Sequence, residues 1–126
     1  MHFPEDLYYT REHEWLRPIQ DGEALVGITD YAQSQLGDIV YVDIPTVGQT
    51  LERGAVFGSV EAVKTVSDLY LPVTATILEK NPLLEAHPEK VNQDPYGEGW
   101  MIRIRIEKPE EIEELLRAET YQTLIG

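Results

Sequence analysis

The residue most open to chemistry is Lys64, within Gly58-Ser59-Val60-Glu61-Ala62-Val63-Lys64-Thr65-Val66-Ser67-Asp68. Two strand-like halves flank it, which puts it at a hairpin tip. The tip lacks the Asn-Gly or Asp-Gly pair that an ordinary tight hairpin prefers. The nearest cations in sequence are Arg53 and Lys80, while Glu61 and Asp68 lie close by. The amine is therefore accessible and without a cationic neighbour. Taken by itself, such a lysine reads first as an ordinary solvated one. Glu12, Glu14 and Asp68 are carboxylates that could meet a cation. Glu12-His13-Glu14-Trp15 also reads as a strand with both acids on one face and His13 and Trp15 on the other. On that reading the acids are only a solvated face. Trp15 and Trp100 suit packing better than a site.

Other chemistries are excluded or unsupported. No cysteine is present, which removes disulfides, thiolate metal sites and a cysteine nucleophile. His2, His13 and His87 match no metal spacing. No nucleophile–base pair or phosphate loop stands out, so the chain does not read as an enzyme. Asp and Glu number 23 against 10 Lys and Arg, a formal net charge of -13. A nucleic-acid binder needs a basic face, and an anionic membrane surface repels such a chain. What remains is a protein steered toward basic patches on partners, or one whose acidity simply keeps it soluble and monomeric.

The elements that must position these residues are short. The 126 residues, 42% hydrophobic, are expected to form a single domain over 1–126. Tyr8–Trp15 is expected to be a strand leading to a turn at Gln20-Asp21-Gly22-Glu23, with Ala24–Ile28 returning. Thr29 or Asp30 can cap a short helix that Gly37 ends. Asp38–Ile44 alternates as a strand that Pro45 stops. Val56–Val60, Val66–Leu71 and Val73–Leu78 are further strands. Asn81-Pro82 begins a short helix and Pro88 closes it. Asp94–Gly99 is a loop before the alternating strand Trp100–Ile106. Pro109-Glu110-Glu111 opens a C-terminal helical segment, about 109–125, with Ile112, Leu115 and Leu116 as its buried stripe. Tyr121, Leu124 and Ile125 are expected to dock on the same core. The result is mainly β: a sandwich or flattened barrel with short peripheral helices and a C-terminal helix. The apolar runs are too short to span a bilayer. The N-terminus lacks signal- or transit-peptide character, so a cytoplasmic location is expected.

Several blocks occur together in order: Tyr9-Thr10-Arg11-Glu12-His13-Glu14-Trp15, Val26-Gly27-Ile28-Thr29-Asp30-Tyr31-Ala32-Gln33 with Leu36-Gly37-Asp38, and Glu61–Asp68. Val91-Asn92-Gln93-Asp94-Pro95-Tyr96-Gly97-Glu98-Gly99-Trp100 and Leu115-Leu116 with Tyr121 and Leu124 complete the set. With these blocks the chain resembles the H proteins of the glycine cleavage system over nearly its whole length. The resemblance implies a lipoyl/biotinyl-carrier-like β-sandwich and a non-catalytic carrier. It implies lipoic acid attached as an amide to Lys64. The partners it implies are a pyridoxal-phosphate glycine decarboxylase, a tetrahydrofolate-dependent aminomethyltransferase, an FAD-containing dihydrolipoamide dehydrogenase and a lipoylating enzyme. The resemblance further implies that a loaded arm carries an aminomethyl group and folds back near His13, Glu14 and Asp68, with Glu12 a weaker candidate. An extended arm of about a dozen bonds reaches roughly 15 Å, and a rigid hairpin tip would present it well.

One position departs from the pattern. Relatives commonly carry glycine where this chain has Ala75, and a backbone needing positive φ there would be strained by alanine. Rival readings are a biotin carrier, whose lysine is usually flanked by methionines rather than Val63 and Thr65, and a 2-oxoacid dehydrogenase domain, which is shorter. An unmodified scaffold or lipoate-relay relative is a further rival of a different class.

Overall fold

The computed structural model describes residues 1–126. Nine strands form two antiparallel sheets. The first sheet has the order β1 (Tyr8–Tyr9), β2 (Glu14–Pro18), β3 (Glu23–Ile28), β9 (Ile102–Ile106), β8 (Ala75–Lys80), β5 (Thr50–Leu51). The second has the order β4 (Ile39–Asp43), β6 (Val56–Ala62), β7 (Val66–Tyr70). Apolar side chains from both sheets, among them Val26, Ile104 and Ile77 from the first and Phe57, Val60 and Leu69 from the second, bury in one core. This is the expected sandwich.

The β1–β2 connection differs from the expectation of one continuous strand over Tyr8–Trp15. A tight turn breaks it: His13 N–H donates to Thr10 O at 3.2 Å, and His13 has φ 72. Past this turn both faces of β2 are covered, with Leu16 in the main core and Trp15 in a second, aromatic one, so Glu14, Trp15 and Leu16 are all buried. A plain Glu-out, His-in strand does not exist here. Gly27, opposite Trp15 in the register, allows this packing. A Cβ there would stand 2.8 Å from Trp15 ring atoms.

Helix α1 (Asp30–Leu36) matches its signals. Thr29 Oγ1 accepts from Ala32 N–H, and Gly37 ends the helix at φ 81. The Asn81-Pro82 pair leads into α2 (Leu83–Ala86), where Asn81 Oδ1 accepts from Leu83 N–H at 3.0 Å. A further one-turn helix, α3 (Lys90–Gln93), was not expected. The C-terminal segment is helical in two pieces. A 3-10 helix (Pro109–Glu114) gives way to extended backbone at Leu115, Leu116 bridges Tyr9, and α4 (Ala118–Ile125) follows. Ile112, Leu115 and Leu116 are therefore only half-buried and do not form one helical stripe. Tyr121 is fully buried, whereas Leu124 is exposed and does not dock. Tyr9, Trp15 and Tyr121 form a second, largely aromatic core beneath α4.

Ala75 is buried in β8, and the only non-glycine residues with positive φ are His13 and Asp21. Position 75 thus has no backbone strain for alanine to aggravate.

Candidate functional site

Lys64 sits at the end of the β6–β7 hairpin. Its neighbours pair closely: Ala62 N–H donates to Thr65 O at 2.7 Å, leaving Val63 and Lys64 as the bend. Neither has positive φ, in keeping with the missing Asn-Gly pair. Val63 N–H donates to Asp38 O at 3.2 Å, which braces the tip against the chain leaving α1. The Lys64 side chain is exposed and makes no hydrogen bond or ion pair. A braced backbone beneath an unencumbered amine suits a tether.

Glu12, His13, Glu14 and Asp68 come together in one cleft of about 250 Å³. The β1–β2 turn supplies Glu12 and His13, β2 supplies Glu14, β7 supplies Asp68 with Ser67, and α1 supplies Tyr31, Gln35 and Leu36. Lys64 is not in this cleft. It borders a second depression with Ser34, Asp38 and Val63, and Gln35 and Leu36 line both. The surface from the lysine to the acids is therefore continuous along one side of α1.

The three acids differ in state. Glu14 is 2% exposed. Its Oε1 accepts from Thr10 Oγ1 at 2.9 Å and its Oε2 from Tyr70 N–H at 3.3 Å. Burial pushes its pKa up to about 8, against the opposing pull of the Thr10 and Tyr70 hydrogen bonds, and the Glu12 charge adds to the rise. A carboxylic acid that is neutral at pH 7 because it is dry becomes a carboxylate when a cation arrives beside it. Glu12 and Asp68 are exposed. The His13 pKa is lowered by burial, partly offset by Glu12. Buried Glu14 is not part of a solvated face.

Sequence reasoning missed Thr10, Tyr31, Gln35 and Ser67. Tyr31 and Gln35 lie four residues apart on α1, the spacing of one helix face, which was the available signal. Thr10 gave none, because its contact with Glu14 needs the turn at His13. Trp15 is packing, as expected, with Nε1 donating to Pro95 O at 3.0 Å.

A sandwich whose hairpin tip carries a free lysine has the architecture of a swinging-arm carrier domain. Comparison with known proteins narrows the class. The chain belongs to the glycine cleavage H-protein family, whose sequence profile matches residues 7–126. Members are lipoyl carriers of the glycine cleavage system with no catalytic activity of their own. Glycine cleavage system H proteins of Bacteroides thetaiotaomicron and Bacteroides fragilis are 58% and 56% identical over 126 residues, covering all of this chain and 99% of each relative. The crystal structure of a glycine cleavage system H protein from Mycobacterium marinum superposes with a TM-score of 0.88 at 38% identity, covering 98% of this chain and 99% of that one. No helix is long and apolar enough to cross a membrane.

Proposed function

We propose that Lys64 Nζ carries lipoate as an amide and that the acidic cleft is where the loaded arm rests. The observation that supports this most is the shared lining, Gln35 and Leu36, between the lysine's depression and the cleft of Glu12, His13, Glu14 and Asp68. The residues fit the group: an exposed amine without a partner, a braced tip, and a cleft residue, Asp68, four positions past Lys64, a span of roughly 13 Å in extended chain against an arm of roughly 15 Å. When bound, lipoate would supply a disulfide that takes the aminomethyl carbon on one sulfur and leaves the other as a thiol.

The chain's own residues do the remainder. The hairpin holds the tether point rigid, so the tip alone can enter a deep partner site. Glu14 and Asp68 accept from the alkylammonium, with Glu12 adding negative potential and His13 forming the wall. One charge-assisted bond to Glu14 contributes about 1.5–3 kcal/mol when dry and less when wet. The partners we infer are a pyridoxal-phosphate glycine decarboxylase that loads the arm, a tetrahydrofolate-dependent aminomethyltransferase that unloads it, an FAD-containing dihydrolipoamide dehydrogenase that reoxidises it, and a lipoylating enzyme. We infer a single-domain monomer that works in the cytoplasm. Intact mass with peptide mapping, on protein from lipoate-sufficient cells, tests the attachment. One lipoyl group on the peptide containing Lys64 is expected; lipoate on Lys80 or Lys90 overturns it.

A further inference from the structure

His13 has the strained backbone of the cleft, with φ 72, and a residue other than glycine holds such a conformation only when its surroundings impose it. Its surroundings include the C-terminal helix. Tyr121 Oη lies 2.8 Å from His13 Nδ1 and also 2.8 Å from Thr29 Oγ1. Thr29 Oγ1 already accepts from Ala32 N–H at 3.1 Å as the cap of α1. Both Thr29 and Tyr121 are fully buried.

Counting hydrogens gives this chain a direction. The buried Thr29 hydroxyl hydrogen must find an acceptor, and the one within reach is the Tyr121 oxygen. Tyr121 has one hydroxyl hydrogen, and His13 Nδ1 is the acceptor left for it. We propose that Tyr121 is a positioning residue of the arm cleft. Its hydroxyl donates to His13 Nδ1 and so holds the imidazole uncharged, with its hydrogen on Nε2. The significance for the arm rests on the cleft being its resting place.

Protonating His13 would put a second hydrogen between Nδ1 and the Tyr121 oxygen. Tyr121 would then have to turn its own hydrogen away, toward Thr29, whose hydrogen would lose its acceptor. The relay therefore opposes a positive ring. The groups around the ring are Glu12 on the same turn, Glu14 on β2, Tyr31 on α1 with ring centroids 5.0 Å apart, Tyr121 on α4, and Asp68 across the cleft. Arg11, on the same turn, lines the neighbouring depression instead. Burial, which also disfavours imidazolium, lowers the pKa from 6.5 in spite of Glu12. An uncharged wall adds no repulsion to an ammonium cargo, and Nε2–H remains as the ring's free donor. The tail helix, remote in sequence, thus sets the state of a side chain in the cleft.

Nitrogen-15 NMR of the histidine ring, in unlipoylated full-length protein, reads the tautomer directly. Wild type is expected to show a protonated Nε2 and an acceptor Nδ1, with a midpoint below 6.5. Tyr121→Phe removes one oxygen atom and is expected to mix the tautomers and move the midpoint up toward the ordinary value. In the aminomethyl-loaded protein, Tyr121→Phe is expected to speed non-enzymatic loss of the group by about two- to fivefold, more so below pH 6.5 than at pH 8. A hydrogen on Nδ1 in wild type overturns the proposal whatever the variant does. So does a Tyr121→Phe protein with unchanged tautomer and titration. If the tautomer is as stated but Glu14→Ala and Asp68→Ala lose cargo at the wild-type rate, the resting-place reading fails and the relay stands.

Discussion

Glu14 Oε2 accepts a hydrogen bond from the backbone N–H of Tyr70 at 3.3 Å, across the gap between the two sheets. Glu14 belongs to β2 of the first sheet and Tyr70 to β7, the strand at the edge of the second. β7 also carries Asp68 and runs directly back from the lysine tip. One carboxyl group therefore ties the wall of the cleft to the strand that leaves the lysine tip, and its ionisation bears on both.

Stability should fall with rising pH through this group. Burial raises the Glu14 pKa from 4.5 to about 8, so between those values the folded state binds the proton that the unfolded state releases. That stabilising contribution is complete below pH 4.5 and is lost as pH rises through 8, amounting to at most a few kcal/mol. Urea unfolding of wild type and Glu14→Gln from pH 5 to 9 should show the slope in wild type and its loss in the variant. Parallel curves would mean that water enters the site and keeps Glu14 ordinary.

Protection of the cargo should depend on the same group with the opposite sign. An alkylammonium requires the carboxylate, so shelter strengthens as pH rises toward 8. Glu14→Ala should release the aminomethyl group up to roughly tenfold faster without the transferase, with the ratio to wild type growing from pH 6 to 8. Lipoylation should be unaffected. If Glu14→Ala and Asp68→Ala both decay at the wild-type rate, neither carboxylate shelters the arm.

Lys64→Arg should fold normally and accept no lipoate. The side chain is exposed and makes no hydrogen bond or ion pair, so unfolding free energies should agree within about 0.5 kcal/mol. Mass spectrometry after expression with excess lipoate checks the modification.

The purified protein should not cleave glycine by itself. Added decarboxylase should release CO2 from glycine when Lys64 is lipoylated and not when it is bare. Turnover by the carrier alone would contradict this.

Gly27→Ala should destabilise the fold by about 1–3 kcal/mol. The new Cβ would meet the Trp15 ring at 2.8 Å, and Trp15 is fully buried. Thermal unfolding followed by tryptophan fluorescence measures the loss.

Local patterns carried much of this molecule. The caps Thr29 and Gly37, the stop at Pro45, and the hydrophobic runs on either side of Lys64 act over a few residues, so they are legible in order along the chain. They were enough to mark short strands, a sandwich and an isolated lysine at a hairpin tip. The joining of distant segments was not legible in the same way. The turn at His13 depends on tertiary contacts: its carbonyl accepts from Thr29 N–H and its ring meets Tyr121. Beyond that turn both faces of β2 are covered, and Glu14 is buried where a periodic reading leaves it on a solvated face. The C-terminal segment broke into two pieces because Leu116 pairs with Tyr9, a contact with no helical periodicity to announce it. Burial, which decides whether Glu14 holds a proton, belongs to the packed chain, because dehydration of one carboxyl group requires β2, β7 and the Thr10 turn around it at once.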